Sequence, residues 1–434
     1  MSARAKTSAS GSRQQIDVCL DADIIEALCR IGTLFHAAGH GHAIFSFAYD
    51  PDWLRRPNTF EIDPDLQLHD AESYPSQPTG VFRIFTDSAP DRWGRLLLDR
   101  RETLKAREEK RQARMLTEWD YLLGVHDRCR MGALRFRRDA DSPFLDNDRQ
   151  LAAPPVTSLR ELEAASLALE APNADEQPEF RQWLTALLAP GSSLGGARPK
   201  ANFTDPDGAL WIAKFPSRED RRDIGAWEMV VHQLAQSAGL NVPDTQLLSL
   251  GSRHRTFASR RFDRLANGRR RFFVSAMTLL NRQDGENASY LELAEFLSTR
   301  GSPTHKRADL RELWTRIVFN ILVSNRDDHL RNHGFVLSTD GWRLAPAYDL
   351  NPNIERTHHQ LAIDSSDPTP DVELALTTAE YYGLTTAQAG KIFQRVRAAI
   401  TQWRTIARKH RLPRGEIELV GQAFPRANPT ESGR

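Results

Sequence analysis

Little in this 434-residue chain ties it to a membrane, an oxidising compartment or a polyanion. No run approaches the ~20 consecutive apolar residues of a membrane-spanning helix, so no membrane partner is expected. Cysteine is scarce. Cys19, Cys29 and Cys129 are odd in number and lack CxxC spacing, so a disulfide framework does not fit and a reducing, cytoplasmic setting is expected. Net charge is nearly absent: 58 Lys and Arg stand against 57 Asp and Glu, which excludes a uniformly basic nucleic-acid binder but leaves local patches open. What is present, 40% hydrophobic and 26% charged residues, excludes wholesale disorder, collagen-like sequence and a coiled coil. At roughly 150 residues per domain, the length predicts two or three domains.

Residues 1–16 contain no acid and no apolar targeting core, and read as a disordered tail. A first block follows over residues 17–138, with strands expected at 45–49 and 80–85 and a charged helix over 91–115. Between Arg92 and Arg114 nine basic residues face four acidic ones, which fits either a solvated helix laced with i,i+4 pairs or a contact surface for phosphate. Pro, Asp and Asn mark residues 139–157 as a linker. A helix then opens behind Ser158 as a candidate cap, and GSSLGGARPK (residues 191–200) forms a Gly-rich loop ahead of a strand at 209–215. Residues 223–239 carry Trp227, Val230, Val231, Leu234 and Ala238 as an apolar helical stripe. A buried helix over 310–324 leads into NRDDHLRN (325–332), and a hairpin turning at Asp340-Gly341 ends at Ala347-Tyr348-Asp349.

Phosphoryl transfer needs backbone amides and a cation around the triphosphate, oxygen ligands for Mg2+, and a carboxylate to orient the attacking hydroxyl. The chain offers these in one order: the Gly-rich loop, Lys214 in a strand, Glu228 in a helix, Asp327 with Asn332 five residues on, a hairpin, then Asp349. That is the order and the Asp-to-Asn spacing of protein kinases. A Walker NTPase is disfavoured because the loop lacks G-x-x-x-x-G-K-[ST].

At SAPDRWGRLLLDRR, MGALRF, GSSLGGARPK, WIAKF, GLNVPD, RRFDR, FNILVSNRDDHLRNHGF and LAPAYDL the chain resembles the HipA-like serine/threonine kinases, toxins of bacterial toxin–antitoxin pairs. The resemblance implies an α+β, two-lobed protein-kinase-like fold with an additional N-terminal α/β subdomain. It divides the chain into an N-terminal subdomain (17–138), an N-lobe (158–262), a helical C-lobe (263–420) and a tail (421–434). It casts Asp327 as catalytic base, Asn332 and Asp349 as Mg2+ ligands, and Glu228 as the ion-pair partner of Lys214. ATP would be held by Gly195, Gly196, Ala197, Arg198, Pro199, Lys200, Lys214, Arg260, Arg261, Phe262, His329, Leu330, Arg331, Asn332, Tyr348 and Asp349. Ser193, beside Ser192, matches the serine on which such kinases phosphorylate themselves. The implied partners are a separate HipB-like DNA-binding antitoxin, DNA only through it, and a protein substrate, an aminoacyl-tRNA synthetase such as glutamyl-tRNA synthetase. Two other readings remain open: a non-catalytic co-repressor, and a metal-dependent hydrolase or nuclease built on His329, His333, His358 and His359.

Overall fold

A computed structural model of the chain describes residues 13–38, 43–76, 80–146, 153–189 and 196–425. The strand β1 (Gln14–Leu20) is buried at every position from Ile16 onward, the mark of a strand covered on both faces. It lies inside an antiparallel sheet with β2 (Cys29–Ala38), β3 (Ala43–Tyr49) and β4 (Leu134–Arg137), in the order β3-β2-β1-β4. Phe45, Phe47, Trp53, Phe82, Phe85 and Phe136 fill the core beneath it.

A second antiparallel sheet combines β5 (Lys200–Thr204), β6 (Leu210–Lys214), β7 (Thr245–Leu248) and β8 (Thr256–Arg260) in the order β5-β6-β8-β7. The helices Leu159–Leu169 and Phe180–Leu188 cover one face, joined by Trp93 and Leu97 of the first block. A small sheet of β9 (Phe273–Ser275), β10 (Gly334–Ser338) and β11 (Gly341–Leu344) sits on the helical lobe, and its Val274 also packs into the core of the first block. The helical lobe is organised around the helix Lys306–Val323, where Leu313, Trp314, Ile317, Val318 and Phe319 are all fully buried. That helix stops at Ser324, whose left-handed φ of 52° turns the chain into the 325–332 segment. Sheets and helices in these proportions make the α+β, two-lobed kinase-like architecture with an N-terminal addition. No helix among the described residues is long and apolar enough to cross a membrane.

Several local expectations differ from what is observed. Residues 80–85 do not form a strand; the helix Arg83–Asp87 stands there, because Ile84 and Phe85 are buried side by side and Asp63 accepts the Ile84 amide at 2.8 Å. The charged helix is Arg92–Glu108, shorter than 91–115, and Lys110 beyond it has a left-handed φ of 53°. Ser158 makes no side-chain cap. Of the expected tail 1–16, Gln14 already pairs with His36 in β1, while residues 1–12 lie outside the described residues. The 139–157 segment carries bridges of its own, Arg137 to Phe144 and Pro155 to Thr204. Part of the basic excess at 92–114 is tied up: Arg95 to Glu118, Arg107 to Asp175, Arg111 to Glu102 and Arg114 to Asp120. Lys105–Glu109 has the expected i,i+4 spacing, whereas the others bind across to neighbouring segments.

The C-lobe also runs past its expected end at 420. Phe424 is fully buried and stacks on Trp403 at 4.6 Å between ring centroids, and Ala423 accepts a bond from Ser324 Oγ. Phe424→Ala is therefore expected to lower the unfolding free energy by about 3–4 kcal/mol in urea denaturation. A loss below about 0.5 kcal/mol would show that this segment does not belong to the core.

Candidate functional site

Alternation along β6 decides which side chains reach the cleft. Trp211 and Ala213 enter the core, so Ile212 and Lys214 face the other way, into a cavity of about 970 Å³ between the lobes. On β8, Phe257 and Ser259 line the same cavity while Ala258 joins the core. The helix Ile224–Ser237, capped by Asp223 at the Ala226 amide, turns Glu228 and His232 toward the cleft, one helical turn apart. Its Val230, Val231 and Leu234 pack the opposite way.

Lys214 Nζ donates to Glu228 Oε1 at 2.5 Å and to Asp349 Oδ1 at 2.7 Å. Burial pushes the Asp349 carboxyl up, but the Lys214 ammonium outweighs this and holds it below the usual range. Burial raises the Glu228 carboxyl, with Lys214 opposing the rise. Asp349 adopts a left-handed φ of 58°, a strained conformation for a side chain with a Cβ, and Asn351 also donates to its Oδ1 at 3.1 Å. Asn332 lines the cleft, and its Nδ2 donates to the Asp327 carbonyl at 3.2 Å, leaving its amide oxygen as an acceptor. Asp327 itself is exposed outside the cleft wall and pairs with Arg356 at 2.8 Å.

Beneath this segment lies a buried polar cluster. Asp328 accepts from His333 Nε2 at 2.7 Å, Asn320 Nδ2 at 2.9 Å and the Tyr290 hydroxyl. It occupies the position next to Asp327 but points into the core, so the two adjacent aspartates have separate tasks. His333 is thus engaged away from the cleft that His329 lines. No group of three or more His, Cys, Asp or Glu that could hold a metal gathers among the described residues.

The other expected nucleotide residues divide in two. Gly196, Ala197, Arg260, Arg261, Phe262, His329, Arg331 and Tyr348 line the cleft. Phe262 stacks on Tyr348 at 5.5 Å beside Met131, Phe273, Val336 and Ala345, forming an apolar slot. Arg198, Pro199, Lys200 and Leu330 are absent from its wall. Arg198 pairs with Asp220, the Pro199 carbonyl accepts from the Phe215 amide, Lys200 pairs with Asp91, and Leu330 belongs to the helical core. Gly195 and Ser193, with Ser192, lie outside the described residues.

The cleft has a wall that residue-by-residue reasoning missed. Asp87, Asp91, Arg92, Arg95 and Met131 of the first block line it. SAPDRWGR held the signal, since its Asp and Arg residues cluster around one turn, but nothing in that stretch says what it faces. Asp87 accepts from the Ser275 amide at 2.8 Å and its hydroxyl at 2.7 Å, joining the block to β9.

Comparison with known proteins agrees with this arrangement. Residues 22–137 match the family described as the HipA N-terminal domain, and residues 192–403 match the HipA-like C-terminal domain. Toxin YjjJ of Escherichia coli is 24% identical over 245 residues, 54% of this chain and 52% of that protein. The serine/threonine-protein kinase toxin HipA of Shewanella oneidensis is 25% identical over 190 residues, 37% of this chain and 43% of that protein. The chain thus spans about half or less of the curated relatives it matches, from 37% to 52% of their lengths. A solved Shewanella oneidensis toxin–antitoxin complex of HipA, HipB and operator DNA shares the fold, with a TM-score of 0.66 at 18% identity, covering 95% of this chain and 96% of that one.

His359, buried close to Asp328, reports on the packing behind Asp327. Burial pushes its imidazole down to about 4, with Asp328 opposing the fall. The folded state therefore keeps His359 neutral while the unfolded chain takes up a proton below about pH 6.5. Stability contributed by the neutral ring is present above that pH and is lost as pH falls toward 4, by roughly 2 kcal/mol between pH 7 and pH 5. His359→Gln should flatten this part of the stability–pH curve in denaturant titrations. An unchanged slope would mean that His359 is not held neutral.

Proposed function

We propose that this chain, which belongs to the HipA-like family, is an ATP- and Mg2+-dependent serine/threonine protein kinase acting as the toxin of a toxin–antitoxin pair. The observation that carries the reading is Lys214 bridged between Glu228 and Asp349 on the wall of the cleft, with Asn332 on the same wall. A lysine already paired by two carboxylates has its ammonium placed before any ligand arrives, so little ordering remains to be done at binding. Nucleotide phosphates would take over part of that pairing, and the Phe262–Tyr348 slot suits the base.

Asn332 and Asp349 present the hard oxygen donors that Mg2+ prefers, and few protein ligands suffice because phosphates and water complete its shell. When bound, Mg2+ neutralises charge on the phosphate oxygens. Asp327 then accepts the proton of the substrate hydroxyl. Its pairing with Arg356 is exposed and so weakly held, and an incoming serine or threonine side chain can displace it. The protein substrate we assign is an aminoacyl-tRNA synthetase, glutamyl-tRNA synthetase first, with Ser193 as the acceptor for self-phosphorylation. The partner is a HipB-like antitoxin that carries the DNA contact, which accords with Arg95, Arg111 and Arg114 of the basic 92–114 stretch being engaged in ion pairs within the chain. The setting is cytoplasmic.

Asp327→Asn should reduce phosphoryl transfer from labelled ATP by about a hundredfold or more while ATP affinity stays within about threefold. Asp349→Asn should weaken Mg-ATP binding as well as transfer. Full self-labelling by the Asp327 variant would remove it as the base, and unchanged Mg-ATP affinity in the Asp349 variant would remove it as a ligand. Incubation with purified glutamyl-tRNA synthetase tests the substrate directly: no label on that protein rejects it.

A further inference from the structure

The strand-side stem of the Gly-rich loop, Gly196 to Lys200, is braced from outside the two lobes. Lys200 opens β5, and its side chain is only 2% exposed. Its Nζ donates to Asp91 Oδ2 at 2.5 Å and to the Gly196 carbonyl at 3.0 Å. Gly196 reaches that geometry with φ at +105°, in the left-handed region that glycine enters without steric cost. From the same segment as Asp91, the buried Trp93 donates its indole N–H to the Lys200 carbonyl at 3.1 Å. Gly196 and Ala197 form the wall of the cleft at this point.

Asp91 is shared between two tasks. Its Oδ1 caps the helix Arg92–Glu108 at the Gly94 amide, 2.8 Å away, and its Oδ2 holds Lys200. A buried ion pair with one partner removed leaves an uncompensated charge, so the stem cannot keep this arrangement once Asp91 loses its negative charge. The brace comes from a block 109 residues distant in sequence. Displacing that block and displacing the cleft wall are therefore one mechanical event.

We propose that Asp91 is a positioning residue for nucleotide binding: through Lys200 it holds the Gly196–Lys200 stem, so the N-terminal block sets how firmly the cleft grips a nucleoside triphosphate. The inference rests on the kinase reading above for the identity of the ligand. Anything that shifts the N-terminal block, a bound partner included, would tune ATP affinity without touching Asp327, Asn332 or Asp349.

Asp91→Asn isolates the effect, because asparagine caps a helix as well as aspartate, and with its amide oxygen kept at the Gly94 N–H it turns toward Lys200 an NH2 that offers neither charge nor acceptor. In the full chain the ATP KM, and the Mg-ATP Kd by calorimetry, should rise about tenfold while kcat stays within about threefold. Trp93→Phe keeps the packed ring and loses the N–H donor. It should move KM and Kd the same way by a smaller factor, and it stands in should the first variant not fold. A lower melting temperature with unchanged Kd and KM would overturn the proposal, leaving Asp91 a purely structural residue. Wild-type protein that binds ATP without transferring phosphate would sink the kinase reading while the Kd comparison still decides Asp91. Wild-type protein that binds no ATP would sink both.

Discussion

A carboxylate with no contact to solvent, Asp263, ties the N-terminal block to the N-lobe. It receives two bonds from Arg261, at 2.9 and 2.7 Å, another from Arg264, and the Gly132 amide at 2.9 Å. Burial alone would push its carboxyl up, but the two guanidinium groups hold it far below the usual range. Arg261 carries the connection onward, to the side chain of Asn202 on β5 and the carbonyl of Cys129 in the first block. A buried charge tolerates no loosening, since each partner that withdraws leaves another unpaired. The N-terminal block and the N-lobe sheet, with the β8 strand that leads to Phe262, are consequently held to one geometry.

That constraint gives the cleft its shape. Lys214 stands between Glu228 and Asp349 because β6 is fixed by one set of packed side chains, while the helix Ile224–Ser237 and the hairpin that delivers Asp349 share another. Asp349 pays for its place with a left-handed backbone. Strain of this kind persists only where the surroundings over-determine it, and here the Lys214 ammonium and the Asn351 amide do so. Asp327 differs: it is exposed, and its carboxylate meets Arg356 and Gln360 at the surface rather than a buried partner.

Much of the local structure was legible. The apolar stripe of Trp227 to Ala238, the buried run ending at Ser324 and the Asp340-Gly341 hairpin all follow from side-chain period and turn chemistry, and the elements lie where those patterns put them. The ordered set of Lys214, Glu228, Asp327, Asn332 and Asp349 was legible as chemistry too; the fold brings four of the five to the cleft and leaves Asp327 exposed outside its wall. Residues 80–85 misled because Val81, Phe82, Ile84 and Phe85 carry strand-forming side chains, yet a carboxylate from residue 63 caps a helical turn there. Lys200 and Arg198 misled in another way. A cation beside a Gly-rich loop suits a phosphate ligand, and only the arrival of Asp91 and Asp220 from elsewhere shows where those cations are spent.

The sequence by itself determined the kinds of element, the order of the chemical groups and the family to which they point, because periodicity and short motifs act over neighbours in the chain. Tertiary structure alone decided that the N-terminal block forms part of the cleft, that Asp328 turns inward while Asp327 faces out, and that Arg95, Arg107 and Arg114 of the basic 92–114 stretch meet carboxylates outside it. Each of those outcomes draws on at least one partner tens of positions away or more, Lys200 for Asp91, Tyr290 for Asp328 and Asp175 for Arg107, alongside nearer ones. No local pattern encodes such distances; burial selects among them, since a buried charge is stable only where a distant partner meets it.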